Sequence, residues 1–407
     1  MGAAVPHRAS RPWIRKPAVL VAVAAAVLAV AGAAVTVAAV RHSPPRPAAG
    51  PVPSGLPDPG RLTAGQLAGQ RVIYSYPGLT PPAALLQLIR RGEAAGVIFF
   101  PGNISSPAQL AAVARQLQRA SMSPGSPVRE PLLLMTDQEG GEVRRLPGAP
   151  GLSEKQVGQS PHPAAAARGA GAGAAANLRR AGLNVNLAPV LDVYRAAGDF
   201  IDQYGRSYSR DARQVAALGA GFIRAEQDAG VPATAKHFPG LGAAARGQDT
   251  DHVPVTVNVP ATTLREVDEL PYQAAVRAGV RLVMLSWAVY PALDPAYPAG
   301  LSRTVVQGEL RQRIGFRGVT ITDALGAGAL RPFGAVGHRG QLAAVAGMDL
   351  LLCSGGTVNQ GEQARRGLLA GYQDGLLSHD SFQAAVRRVL ALRASLAQPA
   401  SSGSRNP

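Results

Sequence analysis

Between residues 60 and 396, short apolar runs alternate with segments in which Ala, Leu and Arg recur at helical spacing. The runs at 71–76, 96–100, 131–137, 183–193, 231–237, 280–287, 318–323 and 349–354 predict strands, because apolar stretches bounded by Gly, Pro or Asp suit a sheet buried on both faces. The segments between them, among them 106–120, 164–181, 211–229, 262–278, 302–314 and 338–347, predict helices. Eight strand and helix units in one α/β domain predict a closed (β/α)8 barrel of the TIM type, with its site at the carboxyl ends of the strands. A doubly wound open sheet is the alternative. It has less support, since no Gly-x-Gly-x-x-Gly follows an early strand and no Gly-x-x-x-x-Gly-Lys-Ser/Thr occurs. Gly169-Ala170-Gly171-Ala172-Gly173 lies within an Ala-rich helical stretch and reads as a close helix contact.

The pattern breaks at the amino end. Residues 1–16 carry Arg8, Arg11, Arg15 and Lys16, and 17–40 is an uncharged run of mostly Ala, Val and Leu. That run is long enough to span a bilayer, so an uncleaved anchor with its basic end in the cytoplasm is expected, with a cleaved signal peptide as the alternative. Either would place the rest of the chain outside the cytoplasm, membrane-anchored or secreted. No cysteine follows until Cys353, which excludes lipid attachment at a lipoprotein cysteine. Residues 41–59, with seven prolines from Pro44 to Pro59, read as a semi-rigid linker, 60–396 as the catalytic domain and 397–407 as a polar tail.

With 407 residues, 46% of them hydrophobic, the chain has material for a large core, and one cysteine excludes an intrachain disulfide or a Cys-rich metal site. The net charge of +16 comes almost entirely from arginine, since only Lys16, Lys155 and Lys236 are lysines. Such a surface attracts anionic polymers in general. Nothing points to nucleic acid: zinc-finger spacing is absent, no recognition-helix pattern occurs, and aromatics make up 5%.

The chemistry sits where apolar strands end in polar residues, because a barrel brings those ends to one pocket. The third run ends Asp137-Gln138-Glu139-Gly140-Gly141, and the fourth passes Ala188-Pro189-Val190-Leu191-Asp192 to Tyr204-Gly205-Arg206-Ser207. The fifth ends Lys236-His237-Phe238-Pro239-Gly240-Leu241-Gly242, and the seventh ends Thr320-Ile321-Thr322-Asp323-Ala324. Carboxylates with a Lys-His pair and an Arg suit a polyhydroxylated ligand. Hydrolysis of a glycosidic bond needs two such groups and neither metal nor cofactor.

These four motifs, in this order, resemble those of family 3 glycoside hydrolases, and most closely the bacterial single-barrel β-N-acetylglucosaminidases. The resemblance covers roughly residues 60 to 396. It implies a retaining double displacement, with Asp323 at the nucleophile position. It also implies that Asp137, Arg206, Lys236 and His237 contact sugar hydroxyls. Each has a plainer reading: Asp323 as a turn cap, Lys236 as a surface charge, His237 as a satisfied core histidine, Arg206 as a surface partner of Asp202 or Asp211. Glu139 reads as a loop-fixing acceptor and Asp192 as structural.

Two positions depart from the family pattern. That branch carries Asp-Ser-His on the loop after the fifth strand, with the His as acid/base and the Asp orienting it. Here the loop reads Gly247-Gln248-Asp249-Thr250-Asp251-His252-Val253-Pro254. Asp249-Thr250 aligns with Asp-Ser, Asp251 falls where the His belongs, and His252 comes one residue late. Asp251 as acid/base, His252 as acid/base, or loss of that function are the three readings. A histidine titrates near neutrality unaided, whereas Asp251 needs its pKa lifted from about 4, which Asp249 as a like charge would favour. Glu142 stands where the family places an Arg, with Arg144 and Arg145 as possible substitutes.

The expected function is therefore an exported retaining β-N-acetylhexosaminidase that takes carbohydrate substrates and acts on cell-wall-derived glycans, with its N-terminal segment as the contact to the membrane. A glycan-binding relative without turnover and a β-glucosidase or β-xylosidase are the alternatives.

Overall fold

The structure, a computed structural model, describes residues 58–396. The segments expected at 1–16 and 17–40, the linker up to residue 57 and the tail from residue 397 lie outside these residues. No helix among the described residues is long and apolar enough to cross a membrane.

Eight parallel strands form one sheet: β1 (Val72–Tyr74), β2 (Gly96–Ile98), β3 (Leu133–Thr136), β4 (Val185–Asn186), β5 (Thr234–Phe238), β6 (Leu282–Leu285), β7 (Val319–Ala324) and β8 (Leu350–Leu352). Neighbours pair in the order β4, β3, β2, β1, β8, β7, β6, β5. The two ends then meet. Asn186 N donates to Pro232 O at 3.1 Å, Thr234 N to Ala188 O at 2.8 Å, and Leu191 N to Lys236 O at 2.7 Å. Closure of this kind is the barrel expected from the sequence and excludes the open sheet.

Strand alternation explains why every strand reads as apolar. Ile73, Ile98, Leu133, Met135, Leu282, Met284, Val319, Ile321, Leu350 and Leu352 form one buried cluster inside the barrel. Their sequence neighbours, such as Val72, Tyr74, Val97, Leu134, Val283, Leu285 and Leu351, point outward into a second cluster under the helices. The run expected at 183–193 is regular only over Val185–Asn186, because Pro189 has no N–H to give to the ladder, and its carbonyl instead accepts from Lys236 N at 3.2 Å.

Helices at Pro107–Ser121, Pro163–Arg180 and Ala212–Asp228 match the sequence pattern closely. The first begins where Ser106 Oγ accepts from Gln109 N, and the third where Asp211 accepts from Arg213 N. Gly171 shows the close contact expected of the Gly-Ala repeat: a Cβ there would lie 2.4 Å from Phe222 O on the neighbouring helix. The stretch 262–278 is not one helix. A π-helical turn at Leu264–Asp268 precedes Leu270–Arg277, whose first turn holds Pro271, a residue that cannot donate to the preceding turn. The stretch 302–314 is likewise wound as a π-helix over Thr304–Arg313.

Candidate active site

The carboxyl ends of the strands open on a cavity of about 200 Å³. Asp137, Arg206, Lys236, His237, Asp249, Asp251 and Asp323 all line it, together with Arg145, Thr250 and the apolar side chains of Phe100, Phe200 and Met284. Residues more than 180 positions apart in the chain share this one wall, which is what eight strand ends pointing the same way accomplish.

At its floor, a charge network links three strands. Lys236 Nζ donates to Asp137 Oδ1 at 2.8 Å and lies 2.7 Å from Glu139 Oε1. Arg206 holds Glu139 in a fork, Nε to Oε2 at 2.9 Å and Nη2 to Oε1 at 2.8 Å. Glu139 and Lys236 are each 2% exposed. Burial alone would push the Glu139 carboxyl up, but the charges and hydrogen bonds of Arg206 and Lys236 hold it at about 2. For Lys236, burial opposes the charge, and Asp137 and Glu139 together raise its pKa. The group is thus a set of fixed ions, of which Asp137, Arg206 and Lys236 line the cavity and Glu139 sits behind them. Arg206 pairs with Glu139, not with Asp202 or Asp211, which bond instead to Gly198 N and Lys155, and to Arg213 N.

A second pair lies beside it. Asp192 is fully buried; its Oδ2 is 2.8 Å from His237 Nδ1, and its Oδ1 accepts from Leu241 N at 2.6 Å and His237 N at 3.3 Å. One carboxylate therefore orients the imidazole and pins the Phe238-Pro239-Gly240 turn behind it.

The loop after β5 brings Asp251 to the far wall. Asp249 Oδ1 accepts from Asp251 N at 2.9 Å, and Thr250, 4% exposed, turns inward. The loop is tied to the segment that follows β7: Gly328 N donates to Asp251 O at 2.7 Å, and Ala329 N to Thr250 O at 3.0 Å. Asp323, at the end of β7, accepts from Ala324 N at 2.7 Å, and the Ala324 carbonyl is held by Trp287 Nε1 at 2.9 Å. The negative charge of Asp323, then partial burial, then Asp249, push the Asp251 carboxyl up to about 6. The Asp251 side chain is open to solvent, in keeping with charge repulsion as the leading cause.

His252 stands apart. Its side chain is 80% exposed, its Nε2 is 3.7 Å from Asp249 Oδ2, and it does not line the cavity. Of the two arginines that follow Glu142, Arg145 faces the cavity 3.6 Å from Asp137 Oδ2, whereas Arg144 turns away to the Gly148 carbonyl at 2.8 Å. Several lining residues were not foreseen. Phe100 and Ser354 follow strands β2 and β8, so strand-end position could have flagged them; Phe200 lies on a loop with no such signal.

A closed parallel barrel with carboxylates and a fixed ion network at its strand ends defines a (β/α)8 protein whose polar pocket lies at the carboxyl rim. Residues 64–392 match the glycosyl hydrolase family 3 N terminal domain, and the chain belongs to glycoside hydrolase family 3. An uncharacterized secreted glycosyl hydrolase of Arthroderma benhamiae is 47% identical over 81% of this chain and 93% of its own length. A beta-hexosaminidase of Xylella fastidiosa is 34% identical over 65% of this chain and 77% of its own. Among solved structures, a family 3 beta-N-acetylglucosaminidase from a Paenibacillus species superposes with a TM-score of 0.76 at 35% identity, over 83% of this chain. The match spans 63% of the length of that chain. The chain is thus a glycosidase by family.

Proposed function

We propose that the protein is an exported retaining β-N-acetylhexosaminidase that removes terminal β-linked N-acetylglucosamine from cell-wall-derived glycans. The observation that carries this reading is the placement of Asp251 and Asp323 on one cavity, with the charge of Asp323 lifting Asp251 to about 6. Two carboxyls with different proton affinities suit the two roles of a double displacement. In the first step Asp323 attacks the anomeric carbon, the bond to the leaving oxygen breaks, and Asp251 gives that oxygen its proton. In the second, water attacks the same carbon, Asp251 takes the water's proton, and the bond to Asp323 is released.

Asp137, Arg206, Lys236 and His237 are assigned to sugar hydroxyls, with Arg145 in the place of the arginine missing at Glu142. Asp249 is assigned to holding the Asp251 loop. A cavity this small suits a terminal sugar rather than a length of polymer. The names of the bacterial relatives support the acetylhexosamine, and the secreted fungal relative supports export. The basic residues and apolar run at 1–40 assign the N-terminal segment as the export signal or membrane anchor.

The test is turnover of an aryl β-N-acetylglucosaminide, chitobiose and a muropeptide fragment, with Asp323→Ala as control. Turnover lost with Asp323 supports the proposal. Sugar binding without turnover on any of the three would replace it with a glycan-binding role, and turnover confined to aryl glucosides or xylosides would change the sugar.

A further inference from the structure

A second cavity, of about 330 Å³, opens at the amino-terminal end of the barrel, the face opposite the glycosidase cleft. Arg71 directly precedes β1, Gly347 and Met348 precede β8, and Arg388 and Ser381 lie on the helix His379–Ser395. Four guanidinium groups line it, from Arg71, Arg303, Arg311 and Arg388. Among the described residues a single carboxylate answers them. Asp349, fully buried, accepts from Arg388 Nη2 on Oδ1 at 2.7 Å and from Arg311 Nη2 on Oδ2 at 2.6 Å. Asp380, on the first turn of the same helix, does not line the cavity.

The arginines are incompletely satisfied. Arg311 is 8% exposed, and its buried Nε has no hydrogen-bond partner among the described residues. Arg71 uses Nε and Nη2 on the carbonyls of Asp349 and Met348 and lies over the Phe382 ring, 4.2 Å from its centroid. Arg303 is exposed and makes no ion pair or side-chain hydrogen bond among the described residues. A buried guanidinium N–H without an acceptor is costly, and a tetrahedral oxyanion matches the fork geometry of several guanidinium groups at once.

We propose that this cavity binds a phosphate group, either as free phosphate or as a phosphodiester within a polymer. It is separate from the sugar site and does not depend on which glycan that site cleaves. Arg303 supplies the unpaired donors, and the surplus of positive charge supplies the attraction.

The experiment is calorimetric titration of the full chain with inorganic phosphate and, in parallel, with a glycerol-phosphate oligomer, at constant ionic strength. Wild type, Arg303→Glu, Arg303→Ala and Arg145→Ala are compared. The expected result is saturable binding of one phosphate group, weakened roughly tenfold or more by Arg303→Glu and less by Arg303→Ala, and unchanged by Arg145→Ala. Glycosidase turnover of the Arg303 variants stays at the wild-type level. Tighter binding of inorganic phosphate supports the site with free phosphate as its ligand; tighter binding of the oligomer supports it with a phosphodiester. Absence of saturable binding to either probe overturns the proposal. So does binding that survives both Arg303 variants but is lost in Arg145→Ala, which would place the anion in the sugar cleft.

Discussion

The backbone N–H of Gly328 donates to the carbonyl of Asp251 at 2.7 Å, tying the loop that carries one cavity carboxylate to the segment that follows the other. The approach leaves no room for a side chain: a Cβ on Gly328 would lie 2.0 Å from the carbonyl oxygen of His252. Gly328→Ala is therefore expected to push the Asp251 loop away from Asp323 while leaving the barrel folded. A displacement of the order of 1 Å is worth about 100-fold in rate. The check is kcat beside a thermal melt, with kcat falling far more than stability does.

Loss of the proposed nucleophile is the simplest prediction. Asp323→Ala is expected to lower kcat by roughly a thousandfold or more, without loss of fold, because Asp323 is only partly buried at a strand end. Pre-steady-state kinetics on an aryl substrate supply the measurement: a burst of released phenol in wild type, if deglycosylation is the slow step, and none in the variant.

The pH profile follows from the pair. In the proposed role of acid, Asp251 has to be protonated in the first step, and its carboxyl is held at about 6 chiefly by the charge of Asp323. As pH rises through that value the protonated form is lost, and kcat/KM is expected to fall on its alkaline side. Asp251→Asn should remove that limb and slow substrates with poor leaving groups by roughly 100-fold or more, while activated aryl substrates lose far less in the first step. His252→Ala, at a side chain 80% exposed and outside the cavity, should change either rate by less than about twofold. A larger loss in His252→Ala than in Asp251→Asn would reverse the assignment.

Glu139 makes a stability prediction with the opposite sign in pH. Its carboxyl is depressed from 4.5 to about 2, where burial is outweighed by Arg206 and Lys236. A depressed folded-state pKa contributes stability that is complete above about 4.5 and is lost as pH falls toward 2. The contribution is about 3 kcal/mol. Urea unfolding across that range should show the decline in wild type, and Glu139→Gln should lack this component. At neutral pH the same variant leaves the half-buried Arg206 without its anionic partner and should cost up to about 3 kcal/mol.

The proposed sugar contact of His237 can be separated from the support of that residue. Asp192 lies wholly inside and touches His237 Nδ1 at 2.8 Å and Leu241 N at 2.6 Å. Asp192→Asn keeps the shape but changes what the imidazole can donate, so KM is expected to rise several-fold with little loss of fold. His237→Ala should raise KM at least as much, and an unchanged KM in both would remove His237 from the sugar site.

Much of this was legible from residue order alone. Apolar runs separated by helical periods determined the eight strands, because a parallel sheet wrapped in helices is buried on both faces and must be apolar on both. The strand-end rule then picked out Asp137, Lys236, His237 and Asp323, since a polar residue at the end of a buried run lies at the carboxyl rim of the barrel, beside the pocket. What residue order did not determine was partnership. Arg206 had Asp202 and Asp211 close by in sequence, yet it holds Glu139, 67 positions away. Asp251 and His252 are adjacent in the chain, and it is the folded loop, held by Asp249 and by hydrogen bonds from Gly328 and Ala329, that puts the first on the cavity and the second in water. Local pattern records burial and periodicity, which each residue carries in its own neighbourhood. Contacts between distant loops, and the pKa values those contacts set, exist only once the barrel has closed and brought its strand ends together.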